Sequence, residues 1–311
     1  RARLVVSGCA GGLDESQLAE AGVDLLVPNA DKDHLVAIAS QALDLPLMPA
    51  TATEPQAQSL FQRGRQRDFI KIQDGCRYQC SFCITTRARG EERSRPILEI
   101  RDQILRLHAS GIQEVILTGV HAGGYGSDLG TNLTALLTDL LQHTRVPRLR
   151  LGSLEPWDLP EAFWQLWEDP RLMPHLHLPL QSGAESVLKR MARRCRPDRF
   201  LALVDRARAA QPDFNISTDI IVGFPGETDA EWQQTLDLVE TVGFGQLHLF
   251  AYSPRTGTRA AEMPDQVPEP IKRERAQRLR DVGQRLRRQW LAQQIGKDAE
   301  VLVESVKSGA G

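Results

Sequence analysis

From residue 67 onward, strand-like and helix-like runs alternate without a break, and this alternation narrows the available folds more than any other feature of the chain. Strand candidates at Phe69–Gln73, Glu114–Gly119, Arg148–Ser153, His175–Gln181, Ile216–Val222 and Gln246–Tyr252 take turns with helical runs. Those runs lie near Ile97–Ala109, Leu133–His143, Glu161–Trp167, Glu185–Ala192, Arg199–Ala210 and Ala230–Val242. A strand that returns to its sheet through a helix pairs in parallel, with a right-handed crossover. Six such units suit either an open doubly wound sheet or a barrel. Polar residues cluster at the C-terminal end of nearly every strand, which favours a barrel with a site built by its βα loops. The expected class is α/β, a partial (β/α)6 barrel over residues 67–294.

Smaller pieces flank this core. Residues 1–45 read as α/β: strand Leu4–Ser7, helix Glu15–Ala21, strand Asp24–Pro28, helix Lys32–Leu43. Pro46, Pro49 and Pro55 break the pattern, so 46–66 reads as a linker. A long basic helix over Glu269–Gln293 is followed at 295–311 by the start of a new alternating strand. Arg1 is not an initiator methionine and a strand is already under way at Leu4, so both ends read as interrupted and the chain as a fragment. With 311 residues, 41% hydrophobic and 25% charged, the composition is that of a globular protein. It contains no run of ~18 apolar residues and no signal peptide, which makes a soluble cytoplasmic protein the default and excludes a membrane-spanning one.

Of five cysteines, three crowd into Cys76-Arg-Tyr-Gln-Cys80-Ser-Phe-Cys83, directly after the first barrel strand. An odd count makes a poor disulfide framework, and clustered thiols in a reducing compartment point to metal. Three thiolates on one short loop can hold three irons of a [4Fe–4S] cluster and leave the fourth open to a ligand. The competing reading is a structural zinc knot. Zinc sites usually come as paired C-x2-C units with full four-fold ligation, and no second pair is present.

The C-x3-C-x2-C loop, with the aromatic Phe82 before its last cysteine, resembles that of the radical S-adenosylmethionine (SAM) enzymes. Within that superfamily the chain is similar to the methylthiotransferases. The resemblance is carried by Ile72-Gln-Asp-Gly-Cys76, Ala88-Arg-Gly90 with Arg93-Ser-Arg95, Leu178-Pro-Leu-Gln-Ser-Gly183 and Asp219-Ile-Ile-Val-Gly-Phe-Pro-Gly-Glu227. It implies a [4Fe–4S] cluster on Cys76, Cys80 and Cys83 whose open iron binds SAM; reductive cleavage of SAM yields a 5′-deoxyadenosyl radical. It also implies a second [4Fe–4S] cluster on the N-terminal α/β domain, of which residues 1–45 would be a remnant. Val6-Ser7-Gly8-Cys9 resembles the segment bearing the third ligand of that cluster, with the other two expected upstream of Arg1. Residues 295–311 would open the family's RNA-binding TRAM domain, with Val301–Val306 as its first strand.

Among the three familiar branches, Leu117-Thr-Gly-Val-His-Ala-Gly-Gly-Tyr-Gly126, Leu151-Gly-Ser-Leu-Glu155 and residues 252–267 look like the one acting on threonylcarbamoyladenosine in tRNA. The expected reaction is therefore methylthiolation of that nucleoside beside the anticodon. Its partners would be a tRNA anticodon stem-loop, a reductant such as flavodoxin and a sulfur donor. Isopentenyladenosine in tRNA, a ribosomal-protein residue and a non-catalytic metal-bearing RNA-binding module are the alternatives.

SAM contacts are expected from Phe82, Gly123, Gly124, Glu155, Gln181, Ser182, Asp219 and Val222, each at or just past the C-terminal end of a strand. Glycines also build turns, and polar residues at such positions also cap loops. His121 is a possible substrate contact or a satisfied structural residue. Cys195, in the basic run Lys189–Arg196, reads as exposed, with a thiol made more acidic by its arginine neighbours. Net charge is −2, yet basic clusters at Arg63–Lys71, Arg87–Arg95, Lys189–Arg199 and Lys272–Arg288 point to a polarised surface for RNA phosphates.

Overall fold

The computed structural model describes residues 2–8, 18, 20–44, 65–157 and 159–304. The chain divides into two compact units. The first comprises Arg1–Arg65, Gly75–Tyr78 and Ile84–Glu91, and the second Gln66–Asp74, Gln79–Cys83 and Glu92–Gly311. In the first, β1 (Val5–Ser7) pairs in parallel with β2 (Leu25–Val27), followed by a 3-10 turn at Asn29–His34 and helix α1 (Leu35–Ala42). Asp24 closes this pair, accepting from the Leu4 amide at 2.8 Å and from Arg3 at 3.1 Å. Helix α2 (Thr85–Arg89) also belongs to this unit. The expected helix at Glu15–Ala21 and the linker lie almost entirely outside the described residues, as does Cys9.

The second unit holds the barrel. Strand β3 (Arg67–Asp74) pairs in parallel with β5 (Glu114–Gly119), and β5 with β6 (Arg148–Leu151); β4 (Arg93–Ser94) adds an antiparallel edge to β3. A second parallel set runs β7 (His175–His177), β8 (Asn215–Val222), β9 (Gln246–Ala251). Single bridges Leu149↔Leu172 and Ser153↔His177 join the two sets into one curled half-barrel. The helices between strands are α3 (Ile97–Ala109), α4 (Leu133–His143), α5 (Glu161–Trp164), α6 (Glu185–Arg190), α7 (Pro197–Ala210) and α8 (Asp229–Val242), with α9 (Glu269–Ala292) following β9.

Local chemistry sets these boundaries. Asn132 caps α4 by accepting from the Ala135 amide at 2.9 Å. Thr228 and Glu231 form a reciprocal capping box on α8, which Gly243 ends with φ +64°. Ile100, Ile104 and Leu107 recur at helical spacing and bury α3 against the sheet. Strand β7 is shorter than expected because Pro179 has no amide to donate; pairing resumes only at the bridge Gln181↔Ile220. The helix expected over Glu161–Trp167 is a single α-turn continued as a 3-10 turn over Gln165–Glu168. Val301–Glu304 belong to no strand, so that part of the expected final strand is absent; residues 305–306 lie outside the described residues.

Glu114 ties the barrel together at the N-terminal end of its strands. Its carboxylate is fully buried and accepts from Arg67 on β3, from Arg148 at 2.9 Å and from Arg150 at 3.1 Å on β6. Burial by itself would raise its pKa. Hydrogen bonds from Arg148 and Arg67, with the charge of Arg150, overcome burial and hold it below the ordinary carboxylate value. A carboxyl depressed in the folded state contributes stability above its unfolded pKa and loses it as pH falls through the folded value. We therefore expect Glu114→Gln to cost about 3–5 kcal/mol in denaturant unfolding at pH 7. The gap should close in acid, as the native carboxyl itself takes up a proton once pH falls through its lowered folded value. A gap that stays constant from pH 7 to pH 3 would contradict this account.

Candidate active site

The polar residues expected to share a site lie at the C-terminal ends of the barrel strands, and the loop after β3 is held by its backbone. Between Lys71 and Gln73 the register with β5 shifts by one residue, a bulge that re-aims the strand end. Gln73, now buried, accepts from the amides of Val120 at 3.1 Å and His121 at 2.9 Å and donates to the Asp74 carbonyl at 2.9 Å. One side chain thus joins the end of β3 to the loop after β5. Gly75 has φ +76°, and a Cβ there would lie 1.9 Å from the Glu91 carbonyl oxygen, so only glycine fits immediately before Cys76. The Cys76 amide donates to Gly90 at 3.2 Å.

Farther along the loop, Ser81 is clamped to the end of α6. Its amide donates to the Met191 carbonyl at 2.9 Å and its hydroxyl to that of Arg190 at 2.8 Å, while its own carbonyl accepts from Ala260 at 2.8 Å. Cys80 and Cys83 flank this clamp, and the Cys83 amide donates to the Cys80 carbonyl at 3.1 Å. Phe82 meets Phe224 edge to face at 6.5 Å, and Phe224 meets Tyr252 at 5.4 Å. An aromatic path therefore runs from the loop to the turn after β8.

Cys76, Cys80 and Cys83 are all half-buried and none is in a disulfide. Among the described residues no three His, Cys, Asp or Glu side chains converge on a point that one ion would fill. Zinc requires that convergence and a fourth ligand. A [4Fe–4S] cluster places each thiolate on a different iron, and three thiols on one short loop fit that mode of ligation. Burial pushes the Cys80 thiol up, and the Arg193 guanidinium, 4.0 Å from its sulfur, opposes part of that shift.

The other expected contacts differ in how much of each side chain remains available. Gly123 and Gly124 form a 3-10 turn after β5, and a Cβ on Gly123 would sit 3.6 Å from Glu155 Oε2. Glu155, past the end of β6, also lies 3.5 Å from His121 Nε2, while His121 Nδ1 pairs with Glu92. His121 is fully buried between two carboxylates, an orientation set by Glu92, which sequence reasoning did not single out. Gln181 has φ +73°, rare for a side-chain-bearing residue, and is fixed by backbone hydrogen bonds to Asp219 and Ile221. Ser182 is fully buried against α8, sharing a hydrogen bond with Thr235 at 3.2 Å and accepting from the Ala184 amide. Val222 is buried at the end of β8, where its carbonyl accepts from Tyr252 at 2.8 Å.

Asp219 faces the barrel interior and pairs with His177 Nε2 at 3.2 Å. His177 Nδ1 and His175 Nε2 both meet the Ser217 hydroxyl. Burial, with the charges of Arg150, His177 and His248, pushes His175 down to about 4, so it stays neutral at pH 7. The turn after β8 is closed by Glu227, which accepts from the Gly223 amide and from Arg275 of α9, both at 2.8 Å.

Two expectations are corrected. Cys195 is buried, not exposed: it lies between two outward-facing arginines but points inward. Desolvation outweighs Arg193 and pushes its thiol up to about 12. The basic clusters are also less available than their sequence implied. Lys272 and Arg275 are buried inside α9's packing face, and Arg190 is bidentate to Glu231 at 2.9 Å. The second correction arises because helical periodicity turns one residue in three or four of a charged run inward, whereas Cys195 lies in the loop between α6 and α7.

Residues 70–239 match the Radical SAM superfamily. The chain is 36% identical over 309 residues to the threonylcarbamoyladenosine tRNA methylthiotransferase MtaB of Thermotoga maritima, covering 97% of this chain and 71% of that protein. It is 39% identical over 247 residues to the tRNA-2-methylthio-N(6)-dimethylallyladenosine synthase of Bacillus velezensis, covering 78% of this chain and 48% of the relative. Its fold is similar to that of the radical SAM methyltransferase TsrM from Kitasatospora setae. The TM-score is 0.65 at 15% identity, over 84% of this chain and 57% of the other. Among the described residues no helix is long and apolar enough to cross a membrane. The three-cysteine loop on a curled half-barrel and the extent of these matches lead to one conclusion: the chain belongs to the radical SAM superfamily and, within it, to the methylthiotransferase family.

Proposed function

We propose that the chain carries the radical SAM core of a tRNA methylthiotransferase that converts N6-threonylcarbamoyladenosine, beside the anticodon, to its 2-methylthio derivative. The observation that carries this reading is the all-thiol loop that directly follows β3 in a barrel whose strands end in polar residues. Similarity to the threonylcarbamoyladenosine enzymes over 97–98% of this chain and 71% of theirs supports the choice of nucleoside over dimethylallyladenosine. When bound, the [4Fe–4S] cluster supplies the electron that cleaves SAM to methionine and a 5′-deoxyadenosyl radical.

The protein's own residues bind, orient and exclude water. Cys76, Cys80 and Cys83 would hold the cluster, and Glu155, Gln181 and Asp219 present polar groups to the amino acid and ribose of SAM. Gly123 and Gly124 allow close backbone approach, Phe82 and Val222 supply apolar wall, and Ser182 acts through the α8 contact that fixes Gln181. The left-handed backbone of Gln181 stores about 1–3 kcal/mol of strain, of the kind that recurs at ligand clamps. Cys9 would ligate a second cluster together with cysteines contributed by sequence before Arg1. We assign 1–45 to the remnant of that domain, 46–66 to a linker, 67–294 to the radical SAM core and 295–311 to the start of a TRAM domain. A cytoplasmic site of action, a flavodoxin-like reductant and a separate sulfur donor complete the proposal.

Arg193 has a further part. Ligation needs the thiolate, burial disfavours it at Cys80, and the neighbouring guanidinium restores part of the balance. Removing that charge raises the Cys80 pKa further. Arg193→Gln should therefore load iron and sulfide normally only at a higher pH. The absorbance of the reconstituted cluster, followed between pH 7 and pH 9, should show a midpoint shifted upward. Superimposable loading curves would remove Arg193 from this role. For the reaction itself, anaerobic reconstitution should give four irons per chain and 5′-deoxyadenosine from SAM with dithionite, both lost in Cys80→Ala. Nucleoside analysis of tRNA treated with the chain joined to its preceding sequence should show the 2-methylthio group on threonylcarbamoyladenosine. Its appearance on dimethylallyladenosine alone would reverse the substrate assignment.

A further inference from the structure

Beside the barrel mouth lies a second recess that plays no part in the site above. It is a cavity of about 310 Å³ between the loop after β6, α5 and the start of α7. That volume is at the lower end of the ~300–1,000 Å³ typical of small-ligand pockets. Trp157 and Trp164 line it together with Arg194, Arg196, Arg199 and Arg206. Arg196 and Arg206 reach exposed partners outside the cavity, Glu185 at 3.4 Å and Glu161 at 3.0 Å. The Arg199 side chain is exposed and makes no ion pair or hydrogen bond among the described residues. The indole N–H of Trp164 is buried without a hydrogen-bond partner.

This combination recognises a particular chemistry. The Arg199 guanidinium, which has no ion pair among the described residues, suits an anion, and guanidinium forks suit phosphate oxygens. Aromatic walls at the same place suit a base, and the pairing of basic groove with aromatic platform is how single-stranded nucleic acid is held. The recess is also tied to the cysteine loop. Arg193 stacks on the Trp157 ring at 4.6 Å, donates to the Pro179 carbonyl at 2.6 Å and reaches the Cys80 sulfur at 4.0 Å. Trp157 itself is two residues beyond Glu155.

We infer that this recess binds one unpaired nucleotide of the RNA substrate next to the one that reacts, with its phosphate on Arg199 and neighbouring arginines and its base against the tryptophans. The inference rests on the tRNA reading above and adds to it a place on the barrel where the RNA is gripped. The grip fixes the distance between a flanking nucleotide and the reacting adenosine, so the target base enters the mouth in one register. Because Arg193 touches both Trp157 and Cys80, an occupied recess also holds the arginine that faces the cysteine loop.

The test is binding of a fluorescently labelled anticodon stem-loop RNA by anisotropy across a salt series. It compares the unaltered chain with Arg199→Ala, Arg199→Glu and, as a control on an exposed basic face elsewhere, Arg288→Glu. The expected result is about five- to tenfold weaker binding for Arg199→Glu, with Arg199→Ala intermediate. For Arg199→Ala the slope of log K against log salt should fall by about 0.7, the value of one lost contact on a single strand. Arg288→Glu should change both quantities less, and thermal unfolding should be the same for all four proteins. A stem-loop with photoreactive uridines should crosslink to peptides containing residues 156–164 or 194–206. If the unaltered chain binds RNA but both Arg199 variants match it in affinity and slope, the recess assignment is overturned while the substrate reading stands. If the unaltered chain binds no stem-loop at all, the substrate reading itself falls and takes this inference with it.

Discussion

A carboxylate buried among three guanidiniums fixes how β3, β5 and β6 stand against one another, and the chemistry at the opposite end of those strands depends on that alignment. Glu114 can accept from Arg67, Arg148 and Arg150 together only in the observed parallel register. A slip of one residue would turn each of these side chains to the outer face and bring the apolar residues inward. At the other end, the same register lets Gln73 accept from two consecutive amides of the loop after β5. Polar groups at both ends therefore specify what the aliphatic middle of the strands, Ile70, Ile72, Val115 and Leu117, does not. Hydrophobic burial supplies most of the stability, and the polar groups select which pairing it stabilises.

Much of this architecture is legible in the sequence because period-two and period-3.6 patterns report which face is buried. The helices Ile97–Ala109 and Leu133–His143 and the strand Glu114–Gly119 end where the pattern ends. The errors have separate causes. Pro179 interrupts β7 because a ladder needs an amide, which a purely apolar pattern does not reveal. Cys195 looks acidic beside its arginines because sequence gives charge without depth, and depth decides that thiol's pKa. The cysteine loop is readable from spacing, but its supports are not. Gln73, Glu92 and Arg193 are ordinary polar residues whose importance lies in partners 14 to 113 positions away, such as Arg193 with Pro179 and with Cys80.

The half-barrel mouth places opposing demands on its side chains. To ligate a cluster a thiol would have to ionise, yet burial of the loop pushes the Cys80 thiol up. Arg193 eases part of the conflict without exposing the sulfur, because a fixed positive charge at 4.0 Å opposes part of the desolvation. Its stack on Trp157 and hydrogen bond to Pro179 hold it there at little further entropic cost, since the planar fork has few orientations to lose.

With 38 basic and 40 acidic residues, the chain cannot attract RNA by net charge, so affinity must come from cations not already committed to the fold. Many are committed. Three arginines surround Glu114, Arg190 holds Glu231, and Lys272 and Arg275 close the turns after β9 and β8. Arg199 differs because α7 buries Phe200, Leu203 and Val204 and leaves this side chain to solvent with no ion pair among the described residues. Helical periodicity thus produces both outcomes from similar runs. In α9 it draws Lys272 and Arg275 inward as structural ties. In α7 it leaves a cationic strip beside two tryptophans, close to the one loop where a nucleic acid would have to be positioned.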